Sequence, residues 1–517
     1  MLRTLLSRRP SSSASGPPDA SRRGARARSV PAALPEAGAA AGARQRAHRG
    51  LLVVCAGFAV LSAVLVPLTL PLGWDELVYA SRFDTHGPQT PFSSPRTRGV
   101  PLLLVPVAGW SGSTLLLRVW MTLLASLALY LGFRPWLRVV RQRPSAAWVA
   151  AALYATPWLS LFYANSAMPN HYTAMGAVGA TGCFLRDRPR YAGVVAGLAL
   201  VTLMRPNDGA VVALPLFLAA VAVPAWRDLG RLTAVAGGVA IGALPWVVEA
   251  YLRFGGVRER LADADEVQGG MRPVFSVFAH LTSLDGPLLC RPCVGDTVWA
   301  AAVEWWVLLP VLVALGLLAT RRTERAAAPD GLPAATAGAG GGTAALWLAV
   351  VVAVASALPY FFLVPYAAPR FLLPAYGLAS LPAALGLLAA ADHARKSRPI
   401  ALVLGVALLG HLAVQLTLVH GHGRIQVQAR EDWRRIAAVL HEQGVRPPCV
   451  ITANTGAIPL AHTAGCLVPE SASKEAPERL PNGLVLRRAE PPGWARGWPV
   501  HPVEGTYEAG WTVLVRP

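Results

Sequence analysis

The stretch LLVVCAGFAVLSAVLVPLTLPLGWDEL, residues 51–77, decides how the chain is arranged. From Leu51 to Leu72 it is apolar and long enough to cross a lipid bilayer. It starts too late in the chain and is too long for an ordinary cleaved signal peptide, so we interpret it as a retained first span. Asp75 and Glu76 follow directly, at the membrane surface, where ionisable groups are kept for a function more often than in a water-exposed loop.

The composition indicates a membrane protein. The chain has 517 residues, of which 54% are hydrophobic and 15% charged, whereas soluble proteins carry about 25% charged residues. The formal net charge is +19. We reject a nucleic-acid partner, because the arginines concentrate in the N-terminal arm and in short loops between apolar runs, as in cytoplasmic loops of membrane proteins.

Apolar runs bounded by arginines predict about eleven transmembrane helices. They lie at residues 51–72, 112–133, 145–164, 171–185, 191–205, 209–225, 231–253, 297–320, 344–365, 370–390 and 399–419. With the N-terminus inside, every inner loop receives an arginine cluster, beginning with Arg134, Arg138 and Arg141. We therefore predict an all-α polytopic protein of the plasma membrane, with a cytoplasmic N-terminus and an extracytoplasmic C-terminus.

The runs divide the chain into three predicted regions: a disordered basic cytoplasmic arm, a membrane domain, and a small extracytoplasmic α/β domain. These are residues 1–50, 51–420 and 421–517. The membrane domain has a first outer loop (73–111), a second large outer loop (254–296) and a cytoplasmic linker (323–343) rich in Ala, Gly and Pro. Anionic lipids are the expected contact of the basic arm.

The cysteines outside the spans fall in two predicted outer segments. A disulfide between Cys449 and Cys466 fits the outer location of the C-terminal domain. For Cys290 and Cys293 a strained disulfide and two free thiols both fit, and a zinc site would need a second pair of ligands.

Asp75 and Glu76 are the candidate catalytic residues. A carboxylate at a membrane-facing pocket can take a proton from a nucleophile or hold a divalent metal against a phosphate, and two neighbours can divide these tasks. Arg96 and Arg98 in the same loop suit phosphate oxygens. The alternative is that all four are interfacial or solvated charges. The chain has no Walker A sequence, dinucleotide fingerprint or HExxH motif.

Two more arginines lie at predicted outer ends of spans, where a lipid phosphate would sit. These are Arg205 and Arg370, for which snorkelling or pairing with a nearby carboxylate is the alternative. Trp74, Tyr79 and His171 are the candidate residues for contact with an acceptor or a sugar, against structural roles for a belt tryptophan and an interfacial histidine.

Two ionisable residues, Arg118 and Glu304, lie inside predicted spans. Charged groups at such depths usually face a cavity or a partner of opposite charge. For these two residues we predict structural pairing rather than a catalytic role.

The order of these features resembles the GT-C class of integral membrane glycosyltransferases, which includes protein O-mannosyltransferases and other lipid-linked sugar transferases. The resemblance covers roughly residues 50–420 and rests on the Asp-Glu pair, the segment Gly197–Pro206 (GLALVTLMRP) and the segment Pro369–Tyr376 (PRFLLPAY). It implies a multi-span helical bundle, a polyprenyl-phosphate sugar donor, an acidic catalytic residue at Asp75, and a donor phosphate near Arg205 and Arg370. Metal dependence is left open, because the turn Ser166–His171 lacks a carboxylate found in relatives.

The resulting hypothesis is a glycosyltransferase of hexosyl or mannosyl type that moves one sugar from the donor to an acceptor on the outer face. Its expected partners are the lipid donor, membrane lipids and an unidentified acceptor. A lipid or glycolipid transporter is the alternative, and it would carry polar groups across the bundle rather than only at the outer rim. A non-catalytic envelope scaffold is the third hypothesis.

Overall fold

The computed structural model describes residues 34–84, 87–289, 298–327, 342–471 and 480–517. These residues form eighteen α-helices and one small sheet, joined by loops and short 3-10 turns. The helices are α1 (Leu34–Leu65), α2 (Trp74–Ala80), α3 (Gly99–Ala108), α4 (Thr114–Phe133), α5 (Trp136–Val139), α6 (Ser145–Ala155), α7 (Trp158–Ala164), α8 (Asn170–Phe184), α9 (Tyr191–Met204), α10 (Pro206–Ala222), α11 (Leu229–Arg253), α12 (Val257–Gln268), α13 (Val277–Thr282), α14 (Glu304–Ala327), α15 (Thr343–Phe362), α16 (Leu373–Ala394), α17 (Arg398–Glu442) and α18 (Ala457–Ala464). The strands are β1 (Val450–Ala453), β2 (Asn482–Arg487), β3 (Val500–Pro502) and β4 (Trp511–Val515).

The protein is a multi-pass membrane protein, but the predicted count of eleven spans is not confirmed. Each predicted apolar run has a helical counterpart, yet within the described ranges only seven helices are long and apolar enough to cross a membrane. The pair α6 and α7, bent by 81° at its break, would make eight. Helices α9 and α10 are apolar but shorter than this test requires, so hydropathy found their positions without showing whether they cross.

Helices α14 and α16 pack with their backbones in close contact. A Cβ atom added to Gly386 would lie 2.1 Å from the carbonyl oxygen of Leu312, so a larger residue cannot be accommodated there. Small residues at such a crossing are typical of helix packing in membranes, where close van der Waals contact replaces the hydrophobic driving force.

Polar side chains from two other helices hold the break between α6 and α7. Pro157 stands at the break, and the backbone N–H of Trp158 donates to Gln415 Oε1 on α17 at 2.8 Å. The Gln415 amide and His411 Nδ1 each lie 2.8 Å from Glu304 Oε1 on α14. The predicted structural pairing of Glu304 is therefore present, and it serves to satisfy backbone groups freed by the break.

Ion pairs distinguish the two ends of the bundle. At one end Arg143 contacts Asp392 at 2.6 Å and Arg141 contacts Asp187, which joins the loop after α5 to the last turn of α16 and to the loop after α8. At the other end the loops that follow α1, α9 and α15 converge around Asp75. The candidate residues therefore lie at the end opposite the arginine-rich loops.

Three predicted boundaries differ from the structure. Residues 1–33 of the arm lie outside the described residues, but helix α1 begins at Leu34, so the last third of the arm is helical. The ends of the predicted linker belong to α14 and α15, where Glu324 accepts the backbone N–H of Thr343 at 2.7 Å, and residues 328–341 are not described.

Helix α17 crosses the predicted boundary at 420 and continues to Glu442, because its sequence changes from apolar to amphipathic without a helix break. Cys290 and Cys293 lie outside the described residues.

The C-terminal part packs against the end of α17. Its four-stranded sheet has the order β1-β2-β4-β3, with β1 parallel to β2 and the other pairs antiparallel. Val450 pairs with Asn482, and Cys449 forms a disulfide with Cys466 across a Cα–Cα distance of 4.7 Å. Asp432 on α17 accepts the backbone N–H of Tyr507 at 2.8 Å. Helix α18 packs against both α17 and α2, so this domain forms one side of the region around Asp75.

Candidate active site

Helix α2 begins at Trp74 because the glycine before it takes an extended conformation and is capped from inside the helix. Gly73 has φ −78° and ψ 175°, and its N–H donates to Glu76 Oε2 at 2.7 Å. Both carboxylates lie in the first turn, where the helix dipole favours negative charge. Successive helical residues point about 100° apart, so the two side chains leave the helix in different directions.

Glu76 points into the protein and is fully paired. Its carboxylate receives Arg118 Nη1 and Nη2, each at 3.2 Å, and Arg430 Nη1 at 3.3 Å. The backbone N–H of Ala167 donates to Oε1 at 3.0 Å. Only 4% of Glu76 is exposed. Burial raises the pKa of Glu76, but Arg118, Arg430 and the Gly73 N–H outweigh burial and lower this pKa to about 2.

The two arginines also hold the chain that leads into α2. Arg118 donates to the carbonyl oxygens of Leu70 at 2.6 Å and Pro71 at 3.0 Å, and Arg430 donates to Pro71 as well. A Cβ atom on Gly73 would lie 2.9 Å from Arg430 Nη2. A larger residue at this position would displace the Arg430 guanidinium from the cluster, and the cluster holds the chain where α2 starts.

Asp75 points to the other side and remains accessible. Its side chain is 34% exposed and makes two ion pairs, Oδ1 with Arg96 Nη2 at 2.9 Å and Oδ2 with Arg370 Nη2 at 3.4 Å. Burial raises the pKa of Asp75, whereas Arg96 and Arg370 lower it by a larger amount, so the carboxyl group titrates below its ordinary range. Asp75 is ionised at neutral pH and stands between two cations from distant parts of the chain.

Arg370 and Arg205 form the side of the site nearest the bundle. Arg370 lies in the 3-10 turn Pro369–Leu372 and donates to the carbonyl oxygen of Leu288 at 2.7 Å. Arg205 lies over the ring of Phe371 at 4.5 Å and pairs with Asp208 at 3.3 Å. The two arginines, predicted from opposite halves of the chain, therefore meet around one aromatic ring.

The remaining predicted residues divide between this site and its surroundings. Arg96 lies over the ring of Tyr79 at 5.3 Å, and Trp74 is 42% exposed beside Asp75. Arg98 instead contacts Glu249 on α11, with Nε at 3.1 Å from Oε1. The structure therefore brings Arg96, Arg205 and Arg370 together near Asp75 and places Arg98 in a neighbouring cluster.

The predicted role of His171 in contacting a sugar is wrong. His171 lies in α8, is 1% exposed, and bonds through its ring to Tyr154 Oη at 3.1 Å and the carbonyl oxygen of Ala125 at 2.9 Å. The sequence places His171 at the first position of the apolar run 171–185, and so at an outer turn. The helix begins one residue earlier, at Asn170, and the imidazole is enclosed by the rings of Phe58, Tyr154 and Tyr172.

Sequence reasoning missed Arg430 as a partner of Glu76. It lies in the amphipathic part of α17, beyond the predicted end of the membrane domain, and 354 residues separate it from Glu76. Arg118 is recognisable as an out-of-place charge in an apolar run, although the sequence does not identify its partner. A basic residue in an apolar run is thus a signal for a buried pair, whereas a basic residue in an amphipathic helix carries no such signal.

The residues at the site do not fit a divalent cation. Within the described ranges no three Asp, Glu, His or Cys side chains are grouped to hold a metal ion. Both oxygens of Asp75 are engaged by guanidinium groups, and cations and arginines compete for the same oxygens. We therefore derive no step through a metal.

Glu76→Gln should destabilise the protein strongly. The substitution leaves Arg118 and Arg430 buried without a counter-charge, which costs about 3–5 kcal/mol for a pair of this kind. The wild-type advantage is fully present above the ordinary carboxyl pKa of 4.5 and is lost as the pH falls toward the folded-state pKa of about 2. Thermal unfolding in detergent at pH 7 and at lower pH measures both effects.

Glu266→Gln on α12 is the matched control, because Glu266 is an exposed carboxylate whose removal should leave the unfolding temperature unchanged. An unfolding temperature of Glu76→Gln equal to that of the wild type at pH 7 would contradict the role assigned to Glu76.

No family profile and no curated protein sequence matches the chain. Several solved structures match the chain by their fold. The fold is similar to ArnT from Cupriavidus metallidurans bound to undecaprenyl phosphate, with a TM-score of 0.57 and 14% identity over 90% of this chain and 97% of that chain. The apo state of ArnT matches with a TM-score of 0.55 at 14% identity over the same shares.

The archaeal oligosaccharyltransferase AglB from Archaeoglobus fulgidus, in complex with an inhibitory peptide and a dolichol-phosphate, has a TM-score of 0.49 at 13% identity over 85% of this chain and 69% of that chain. ArnT is a lipid-linked sugar transferase of the GT-C class. The resemblance noted in the sequence is confirmed at the level of the fold, because this chain shares the GT-C membrane fold of ArnT.

Proposed function

We propose that the protein is a glycosyltransferase that moves one sugar from a polyprenyl-phosphate donor to a nucleophile on the outer face of the plasma membrane. The observation that carries the proposal is the exposed Asp75 carboxylate held between Arg96 and Arg370. A carboxylate can accept the nucleophile's proton, and guanidinium groups suit the departing phosphate. The undecaprenyl phosphate bound to ArnT, which has the same fold, supports this donor class.

The arginines that now hold Asp75 are the groups a donor phosphate would attract. When Arg96 and Arg370 turn to the phosphate, Asp75 loses the two charges that lower its pKa, and burial then raises the pKa. Asp75 becomes a better base when the donor is bound. This coupling would limit proton abstraction to the complex that contains a sugar to transfer.

The reaction is a direct displacement at the anomeric carbon. The acceptor's oxygen or nitrogen forms a bond to that carbon and passes its proton to Asp75. The bond between the carbon and the phosphate oxygen breaks, and the phosphate leaves with the electron pair, stabilised by Arg96, Arg205 and Arg370. One displacement inverts the configuration at the carbon.

Trp74 and Tyr79 are the proposed contacts for the sugar or the acceptor, since Trp74 is exposed next to Asp75 and Tyr79 lies under Arg96. A hexose such as mannose is the proposed sugar, by analogy with the class. The lipid-linked sugar that accumulates in cells lacking the protein would identify the donor sugar. Accumulation of a lipid-linked pentose or amino sugar would show that the donor sugar is not a hexose.

A transporter is the second candidate, because Glu304 and His411 place a polar pair inside the bundle. Their bonds to Gln415 and the α6–α7 break account for that pair without transport. The two candidates differ in whether the sugar–phosphate bond is broken.

Asp75→Asn should abolish transfer without unfolding the protein. Loss of a general base lowers the rate by roughly 100- to 10,000-fold, whereas the amide keeps the shape of the side chain. Transfer of radiolabelled sugar by purified protein in nanodiscs, with the accumulated lipid as donor, measures the rate. Asp263→Asn, which removes an exposed carboxylate on α12, should retain full activity. Lipid movement with no sugar release by the wild type would favour the transporter.

The pH dependence should differ between the free enzyme and the donor complex. Activity falls at low pH because protonated Asp75 cannot act as a base. In the free enzyme the pKa of Asp75 is held below its ordinary value of 3.8, and in the complex burial raises it. The acid limb of kcat should therefore lie at higher pH than the acid limb of kcat/KM for the donor. If the acid limbs of kcat and kcat/KM coincide, Arg96 and Arg370 remain paired with Asp75 in the donor complex.

The proposed orientation places the N-terminus in the cytoplasm and the C-terminal domain outside, since arginine-rich loops occupy the end opposite Asp75. Alkaline phosphatase fused after Pro517 should then be active, and a green fluorescent protein there should be dark. Fusions after Lys396, in the loop between α16 and α17, should give the reverse. Fluorescence at both positions, or at Pro517 alone, would contradict this orientation.

A further inference from the structure

A second cluster of arginines, not used by the mechanism above, lies in the outer loops beside Arg96. Three guanidinium groups contact one carboxylate, Glu249. Arg98 and Arg253 contact Oε1, the latter at 2.8 Å, and Arg260 contacts Oε2 at 3.1 Å. These contacts leave the group of three arginines and one carboxylate with a net positive charge.

Arg82 adds a fourth cation to the cluster. Its guanidinium lies 5.5 Å from the centre of the Phe92 ring, and that of Arg98 lies 4.4 Å from the same ring. Arg82 Nε is buried and has no hydrogen-bond partner among the described residues. Burial lowers the pKa of Arg82, and the positive charges of Arg98, Arg253 and Arg96 lower it further. The surrounding carboxylate therefore does not neutralise the cluster.

The accessible members of the cluster are held by a rigid frame. Arg260 is completely buried and donates to the carbonyl oxygens of Ser94 at 3.0 Å and Arg96 at 2.9 Å. This fixes the loop that carries Arg98. The side chains of Arg98 and Arg253 remain 30% and 43% exposed. The frame is thus fixed by a buried residue while two guanidinium groups are open to a ligand.

The cluster is connected to Asp75 through the loop that carries Arg96 and Arg98. Asp75 Oδ1 contacts Arg96, whose neighbour in the loop is Arg98, and Asp75 Oδ2 contacts Arg370 on the bundle side. Arg82 lies three residues beyond Tyr79, which packs under Arg96. Positive charge therefore stands on both sides of the proposed base.

We propose that Arg82, Arg98 and Arg253 form a second anion subsite, which binds a phosphate-type group distinct from the phosphate bound by Arg96, Arg205 and Arg370. Guanidinium groups on an aromatic platform, with a buried arginine behind them, suit the oxygens of such a group. This inference rests on the proposed function, and it adds that a substrate brings a second negative charge to the outer side of Asp75.

That charge has two chemical sources. A donor with a diphosphate linkage would place its second phosphate there. An acceptor carrying a phosphate next to its nucleophile would place that phosphate there, and the donor would be a monophosphate.

Binding to the full-length protein in nanodiscs tests the subsite. The probes are undecaprenyl phosphate, undecaprenyl diphosphate and radiolabelled inorganic phosphate in equilibrium dialysis, the last at saturating undecaprenyl phosphate. The variant Arg82→Gln/Arg253→Gln removes two charges but leaves Glu249 paired with Arg98 and Arg260. Arg253→Gln alone changes an exposed side chain and keeps the test valid if the double variant unfolds.

A diphosphate donor predicts that the wild type binds the diphosphate more tightly than the monophosphate. This preference should fall about tenfold for each arginine removed. An anionic acceptor predicts that the wild type binds both lipids with equal affinity and also binds one inorganic phosphate when undecaprenyl phosphate is saturating. The double variant should not bind this inorganic phosphate. In both cases the affinity for undecaprenyl phosphate itself should stay the same.

Arg322→Gln/Arg325→Gln is the matched control, because it removes two exposed arginines at the opposite end of the bundle and should change no binding. Equal lipid affinities with no phosphate uptake by the wild type would overturn the subsite, and so would phosphate uptake that survives in the double variant. Failure of undecaprenyl phosphate to bind at all would instead count against the proposed function, so the two failures are distinguishable.

Discussion

The ion pair cluster around Glu76 is the interaction on which the rest of the site depends. One carboxylate joins α2, α4, α17 and the turn after α7, because Arg118, Arg430 and the backbone of Ala167 all bind it. Buried ion pairs add little net stability compared with apolar packing, but they tolerate few alternative arrangements, since an unpaired buried charge is costly. We infer that the cluster specifies geometry: it sets where α2 begins, and the start of α2 sets the direction of Asp75.

Two adjacent carboxylates thus occupy different environments. Because successive side chains on a helix point in different directions, Glu76 lies among buried hydrogen-bond donors. Asp75 lies at an exposed position between two arginines that could also bind a phosphate. Arginine lowers the pKa in both cases, yet only at Asp75 are the arginines placed where a phosphate could draw them away. The proposal of one base and one positioning residue follows from this difference, although the residues are neighbours in sequence and chemically alike.

The sequence predicted the parts of the fold that depend on local composition. Each apolar run contains a helix because hydropathy and length act on neighbouring residues. Asp75, Arg205 and Arg370 were predicted from their positions at the ends of spans, and Arg96 from its place in the loop after Asp75. Which of the short helices cross the membrane could not be predicted, since burial against other helices relaxes the length requirement. The pairing of Glu76 with Arg430 could not be predicted either, because α17 continues past the expected boundary and carries Arg430 back to α2. The prediction for His171 was wrong for a related reason: hydropathy locates a residue along the chain, but it does not show that Phe58 and Tyr154, which are distant in sequence, enclose the side chain.

Charge around Asp75 also constrains the order of events in the proposed reaction. An exposed carboxylate held by two guanidinium groups is a weak base, so an acceptor that arrived first would find no group ready to take its proton. A donor phosphate that engages Arg370 and Arg96 removes that restraint and leaves Asp75 partly buried, where burial favours the protonated form. The outer arginines Arg98, Arg253 and Arg260 form a separate group, because they pair with Glu249 and not with Asp75. The geometry therefore favours binding of the donor before transfer, with the arginine pair of Asp75 as the element that responds to it.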